Sequence, residues 1–204
     1  MRTAPSSVSN SYNIATPWIN LNKNPGLLNP SFTGADFHAS YSLSGTVFKA
    51  KRAGRIEQLA QLIARYLREA LLEQGTRFSF ETVFSHKSNL DIMRRAADKG
   101  YKVYLYFVST ESPEINKYRV NLRVTQGGHD VPEDKIESRY HRSLSLLFDA
   151  TEIAYQVYFF DNSLDDKPFR LIAHFKVVEG KKVWDEIEQH PPQWFEKYYL
   201  EQSG

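Results

Sequence analysis

Cysteine is absent from the 204 residues, which excludes disulfides, thiolate zinc sites and a cysteine nucleophile. That absence fits a reducing compartment. Long hydrophobic runs are lacking too: no apolar stretch approaches the roughly 20 residues that cross a bilayer, so no transmembrane helix is expected. Nor does charge of one sign dominate, because 26 Lys and Arg stand against 24 Asp and Glu, a formal net charge of +2. Nucleic-acid and membrane-surface binders usually carry a larger, clustered excess, so neither nucleic acid nor membrane is expected as a partner. The opening MRTAPSSVSNSYNIATPW has one arginine and no apolar h-region. It does not read as a secretory signal, and a cytoplasmic protein is the expectation.

What is present suits one α/β domain with a buried core. Residues 1 to about 50 scatter Pro, Gly, Asn and Ser without sustained periodicity and read as an irregular N-terminal arm, followed by a domain over 51–204. From Arg55 to Gln74, Leu59, Leu62, Ile63, Tyr66, Leu67, Ala70 and Leu71 recur at helical spacing, and Gly75 stands where a C-cap belongs. Phe78-Ser79-Phe80 reads as a short strand ending at Glu81-Thr82. A helix from about Ser88 to Lys99 closes on Gly100. Lys102 to Val108 reads as a strand buried on both faces. Ser112-Pro113 opens a helix to about Thr125, and Pro132 opens another reaching roughly Ala154. Tyr155–Phe160 and Phe169–Val178 read as further strands, and the aromatic-rich stretch from Pro191 to Tyr199 as a helix packed on the sheet edge. This succession predicts a parallel sheet flanked by helices. Ligands of such sheets lie at the carboxyl ends of the strands, where three polar clusters fall: Glu81-Thr82, Ser109-Thr110 and Asp161-Asn162-Ser163.

The stretch 116–143 holds the densest candidate chemistry. Arg119 and Arg123 share one helix face and Arg139 and Arg142 another, with Gly127-Gly128-His129 between them. Two arginine pairs about a hinging turn suit a lid over phosphates, because guanidinium groups bind phosphate bidentately. The plain alternative is two solvated faces paired with Glu114, Glu133 or Glu137. Glu81 at a strand end has its own alternatives: Mg²⁺ ligand, base, acceptor for substrate hydroxyls, or a loop cap. Ser85, His86 and Ser88 follow it in a loop suited to a substrate site. A serine hydrolase is disfavoured, since no G-x-S-x-G elbow exists. His129 beside Asp130 is a weak metal signal.

The order FSFETVFSH at 78–86, GYKVYLYF at 100–107, Arg119 and Arg123, GGHDVP at 127–132, Arg139 and Arg142, and FDNS at 160–163 resembles the zeta-toxin family. More closely it is similar to the bacterial branch described as predicted ABC-type ATPases, over about residues 55 to 200. The resemblance implies a P-loop kinase fold and an ATP- and Mg²⁺-dependent kinase that phosphorylates a nucleotide sugar such as UDP-N-acetylglucosamine, usually as the toxin of a toxin–antitoxin pair. It further implies that Glu81, Thr82 and Ser85 contact the substrate. Arg119 and Arg123 would begin the lid, with Arg139 and Arg142 beyond its turn, and Arg119, Arg139 and Asn162 would lie on the nucleotide side. FTGADFH at 32–38 resembles the family's Asn-Ala-Asp segment, which would make Asp36 the general base.

The family's G-x-x-x-x-G-K-[ST] loop, whose amides and lysine cradle phosphates, has no counterpart. Gly45-Thr-Val-Phe-Lys-Ala lacks both the second glycine and the Lys-Ser/Thr pair. Three expectations stay open: a kinase that is incomplete in this chain, a relative that no longer transfers phosphate and engages an antitoxin-like protein partner, or an arm that supplies phosphate ligands in another way.

Overall fold

The structure, a computed structural model, describes residues 34–44 and 47–203. The chain divides into two compact units, residues up to Ser79 and residues from Phe80 onward. Within the first unit, inside the expected arm, helix α1 (Gly34–Ser40) leads into an antiparallel hairpin of β1 (Tyr41–Ser44) and β2 (Val47–Ala50). Phe37 is buried, with its ring 4.9 Å from that of Tyr41. Helix α2 (Ile56–Glu73) follows as expected, burying Leu59, Leu62, Ala70 and Leu72. The strand expected at Phe78–Phe80 does not form: those residues lie in the irregular stretch 76–85 after α2. Strand preference is realised only through pairing and burial, and Phe80 is left exposed.

The second unit opens with α3 (Ser88–Asp98), which ends in left-handed Gly100 at φ 84. Gly100 N donates to Ala97 O and Tyr101 N to Ala96 O, the paired closure that a residue without Cβ makes cheaply. Strand β3 (Tyr104–Ser109) crosses to β4 (Gln156–Asp161) through α4 (Pro113–Thr125), α5 (Glu133–Ser145) and α6 (Leu147–Ile153), and the two strands are parallel. Strands β5 (Arg170–Val178) and β6 (Lys181–Ile187) complete the order β3-β4-β5-β6, both paired antiparallel.

The expected all-parallel sheet is therefore a mixed one within an α/β unit. The physical reason is loop length: residues 162–169 are too few for the helical crossover that a parallel neighbour needs, so β5 must return antiparallel. Strand β6 follows through the Glu179-Gly180 turn, both residues at positive φ (51 and 75), the tight hairpin form whose twist matches its strands.

One face of this sheet carries the core. Leu105, Phe107, Val157, Phe159, Ile172 and Phe175 pack there with Leu90 and Met93 of α3, Leu147 and Ala150 of α6, and the C-terminal helix α7. That helix comprises Gln193–Phe195, a π-helical turn Glu196–Leu200 and Glu201–Ser203. Phe159 is its anchor, 4.8 Å from the ring of Phe195 and 4.9 Å from that of Tyr199. The opposite face differs from expectation. Strand β3 alternates exposed and buried, with Tyr104, Tyr106 and Val108 outward, so it is buried on one face and not both. Among the described residues, no helix is long and apolar enough to cross a membrane.

Candidate functional site

The parallel β3–β4 pair brings two of the three expected polar clusters side by side, with Ser109 opposite Asp161. Asn162 N donates to Ser109 O at 2.8 Å, and Ser163 Oγ accepts from Glu111 N at 2.8 Å, lacing the two strand ends together. The centre of the cluster is Asp161, 3% exposed. Its Oδ1 accepts from Ser163 Oγ at 2.6 Å and from Trp194 Nε1 at 3.4 Å, and its Oδ2 accepts from Arg170 at 3.3 Å. Arg170 also donates to Glu188 Oε1 at 2.5 Å. A buried carboxylate is tolerable only with such partners. Arg170 Nε and Glu188 Oε2 are buried without a hydrogen-bond partner among the described residues.

Around this core sit groups that fix the neighbouring helices. Thr110 Oγ1 donates to Ser112 O at 3.0 Å and accepts from Asn116 Nδ2 at 3.0 Å, holding the first turn of α4. Tyr140 of α5 donates its hydroxyl toward Thr110 O and Glu111 O, at 2.9 and 3.1 Å. Burial first, then the nearby Glu111 carboxylate, pushes the Tyr140 phenol up to about 12. It is a fixed donor at neutral pH, not a proton shuttle.

The four arginines of the 116–143 stretch fall into two pairs with different surroundings. Arg119 is committed: it donates to Asn162 O at 2.6 Å and to Asp165 at 2.7 Å, strapping α4 to the loop after β4. Arg123 donates to His129 O at 2.9 Å and packs against Gly128 in the α4–α5 turn. Arg139, half-buried, and exposed Arg142 pair with nothing among the described residues. The surface ion pair that does join α4 and α5 uses Lys117 and Glu137 at 2.6 Å.

The expected substrate residues lie in the loop before α3. Glu81 and Thr82 are exposed, and Thr82 Oγ1 accepts from Phe84 N at 3.2 Å. Ser85 is half-buried beside Phe84, whose φ of 57 is unusual for a bulky residue; the Phe84 ring is held 6.5 Å from that of Phe107. His86 Nδ1 and Ser88 Oγ are 2.8 Å apart at the start of α3. Asn162 uses its side chain on Phe169 N at 3.3 Å. Asp36 belongs to the first unit, where Arg52 is 4.0 Å away and Ser40 Oγ donates to its carbonyl.

Sequence reasoning missed Arg170, Glu188, Tyr140 and Trp194 as members of the cluster. Arg170 stands directly opposite Asp161 in the antiparallel β4–β5 register. An arginine opening the return strand was the one available signal, and it is invisible while that strand is taken as parallel. Among the described residues no three His, Asp or Glu side chains gather to hold a metal ion. For ATP, Arg139 and Arg142 offer charge, but no glycine-rich turn followed by Lys-Ser/Thr supplies a phosphate cradle.

Fold and cluster together define an α/β unit with a polar strand-end site. No family model matches the chain, and no solved structure does. The chain is similar to an uncharacterized protein of Haemophilus influenzae, 33% identical over 69 residues, which are 34% of this chain and 49% of the relative. It thus spans about half the length of the curated relative it matches.

Proposed function

We propose that this chain is a relative of the zeta-toxin-type small-molecule kinases that carries the anion-receiving side of the site. Its function is to bind a phosphorylated small molecule at the end of β3 and β4. The resemblance in sequence points to a nucleotide sugar such as UDP-N-acetylglucosamine as the ligand class. The observation that carries the reading is the pair of guanidinium groups, Arg139 and Arg142, that no described residue engages, on the helix that Tyr140 ties to the strand ends. Guanidinium groups left without carboxylate partners are those free to take phosphate oxygens in bidentate pairs.

ATP with Mg²⁺ would supply a transferable phosphoryl group in a kinase of this type. This chain's residues would hold such a ligand by charge alone. The reading is tested by calorimetric titration with UDP-N-acetylglucosamine and with ATP plus Mg²⁺. Binding between micromolar and millimolar is expected, weakened about 10- to 100-fold by Arg139→Ala with Arg142→Ala, since charge-assisted hydrogen bonds contribute about 1.5–3 kcal/mol each. No heat with either ligand up to about 1 mM, or unchanged affinity in the double variant, would overturn it.

A further inference from the structure

Among the described residues strand β3 leaves one edge and one face unpartnered, and both features point the same way. Val103 O accepts from Tyr155 N and Gln156 N, and Ser109 O accepts from Asn162 N, so the odd-numbered residues of this strand turn their backbone groups toward β4. Alternate residues turn theirs to the opposite edge. The N–H and C=O groups of Tyr104, Tyr106 and Val108 therefore line the outer edge of the sheet. Among the described residues no strand and no backbone hydrogen bond reaches them.

The same three side chains stand on the open face, at 51, 61 and 44% exposure. Tyr106 ends a stack of rings that runs across the sheet. Its plane lies 6° from that of Tyr158 with centroids 4.7 Å apart, and Tyr158 stacks on His174 at 4.1 Å. Beyond His174 the stack is closed by Asp185, which bonds His174 Nδ1. Beyond Tyr106, no ring of the described residues continues it.

The two edges of this sheet are built differently. Strand β6, at the far edge, carries Lys181, Lys182, Asp185 and Glu186 and an irregular register against β5, the features that discourage edge pairing. Strand β3 reads Tyr-Leu-Tyr-Phe-Val-Ser, with no charge, no proline and an unbroken register against β4.

We propose that β3 is a dimerisation edge: two copies of the chain pair antiparallel through β3 about a two-fold axis at Tyr106. In that register Tyr106 faces Tyr106 of the second copy, and Tyr104 faces Val108 in both directions. Every outward N–H and C=O of the three residues then finds a partner, and the inward residues stay on the core side. A register centred on Leu105 would pair Val108 with Lys102, outside the strand. Strand spacing of about 4.8 Å sets the new ring at stacking distance, so the two ring stacks join into one. Lys102 falls opposite Thr110, so no like charges meet directly. An isologous contact of this kind closes on itself and does not propagate into a filament.

Sedimentation of the purified full chain across the micromolar range, with hydrogen exchange on the same samples, tests this. Expected are a monomer–dimer equilibrium and protection of the Tyr104, Tyr106 and Val108 amides that rises with concentration. Leu105, Phe107 and Ser109 amides should be protected throughout. Tyr106→Lys places two ammonium groups across the axis and should weaken association at least about 100-fold with its circular dichroism unchanged. Tyr118→Lys, an equally exposed tyrosine on α4, should leave it intact. If Tyr106→Lys fails to fold, Tyr106→Thr, a strand former that removes the ring without adding charge, takes its place and should weaken association about 10-fold. A chain monomeric at all concentrations, a dimer indifferent to both Tyr106 variants, or outer-edge amides already protected in the dilute monomer would each overturn the proposal.

Discussion

Replacing Asp161 by Asn probes the centre of the strand-end cluster with almost no change of shape. The new amide keeps one oxygen for Ser163 Oγ and Trp194 Nε1, but its NH₂ faces an Arg170 nitrogen at 3.3 Å, donor against donor. One charge-assisted hydrogen bond is lost, and such bonds contribute about 1.5–3 kcal/mol. The full penalty of breaking a buried pair does not apply, because the Arg170 side chain is 34% exposed and retains Glu188. The expected cost is thus about 1–2 kcal/mol. For a unit of this size that lowers the melting midpoint by roughly 3–8 °C. Urea unfolding followed by tryptophan fluorescence suits the measurement, since the Trp194 indole lies in the network. Arg170→Met closes a double-mutant cycle: the two costs should couple by about 0.5–2 kcal/mol, because each variant removes the same bond. An unchanged midpoint in Asp161→Asn, or strictly additive costs, would refute the assignment of Asp161 and Arg170 as a stabilising pair. Loss of ligand binding at unchanged stability would move Asp161 from the scaffold to the binding surface.

Tyr140→Phe should cost about 0.5–1.5 kcal/mol at neutral pH, read by denaturant midpoint, as the Thr110 and Glu111 carbonyls lose their donor. It should also change the alkaline limb. The folded phenol titrates at about 12 against 10.0 for the free group, so above pH 10 the unfolded chain releases this proton first. The stability it contributes is fully present below pH 10 and falls as pH rises toward 12, and the Phe variant should show a shallower decline in that window. Gly128→Ala would place a Cβ 2.5 Å from Arg123 Cγ and 2.8 Å from Arg123 O, in the turn where Gly128 N closes α4 on that same carbonyl. A cost of about 1–3 kcal/mol is expected in urea unfolding, and a variant as stable as the parent would show that the α4–α5 turn yields freely.

The sequence by itself determined the local elements. Helical spacing of leucines marks α2, Pro113 begins α4, and Gly75 and Gly100 end their helices in left-handed turns, because caps and periodicity are properties of neighbouring residues. It also placed Ser109-Thr110 and Asp161-Asn162-Ser163 at strand ends, where they meet. Only the tertiary structure decided how those strands pair. The loop 162–169 forces β5 back antiparallel, which sets Arg170 against Asp161, and nothing in the spacing of Asp161 and Arg170 announces that register. The fates of the arginines were decided there too. Arg119, Arg123, Arg139 and Arg142 are alike on a helical wheel, yet two are consumed by carbonyls and a carboxylate that the fold brings to them, and two are engaged by none of the described residues. The face of β3 follows the same logic. A run of apolar residues reads as doubly buried from composition, but burial depends on what the rest of the chain lays over it, and Tyr104, Tyr106 and Val108 remain exposed.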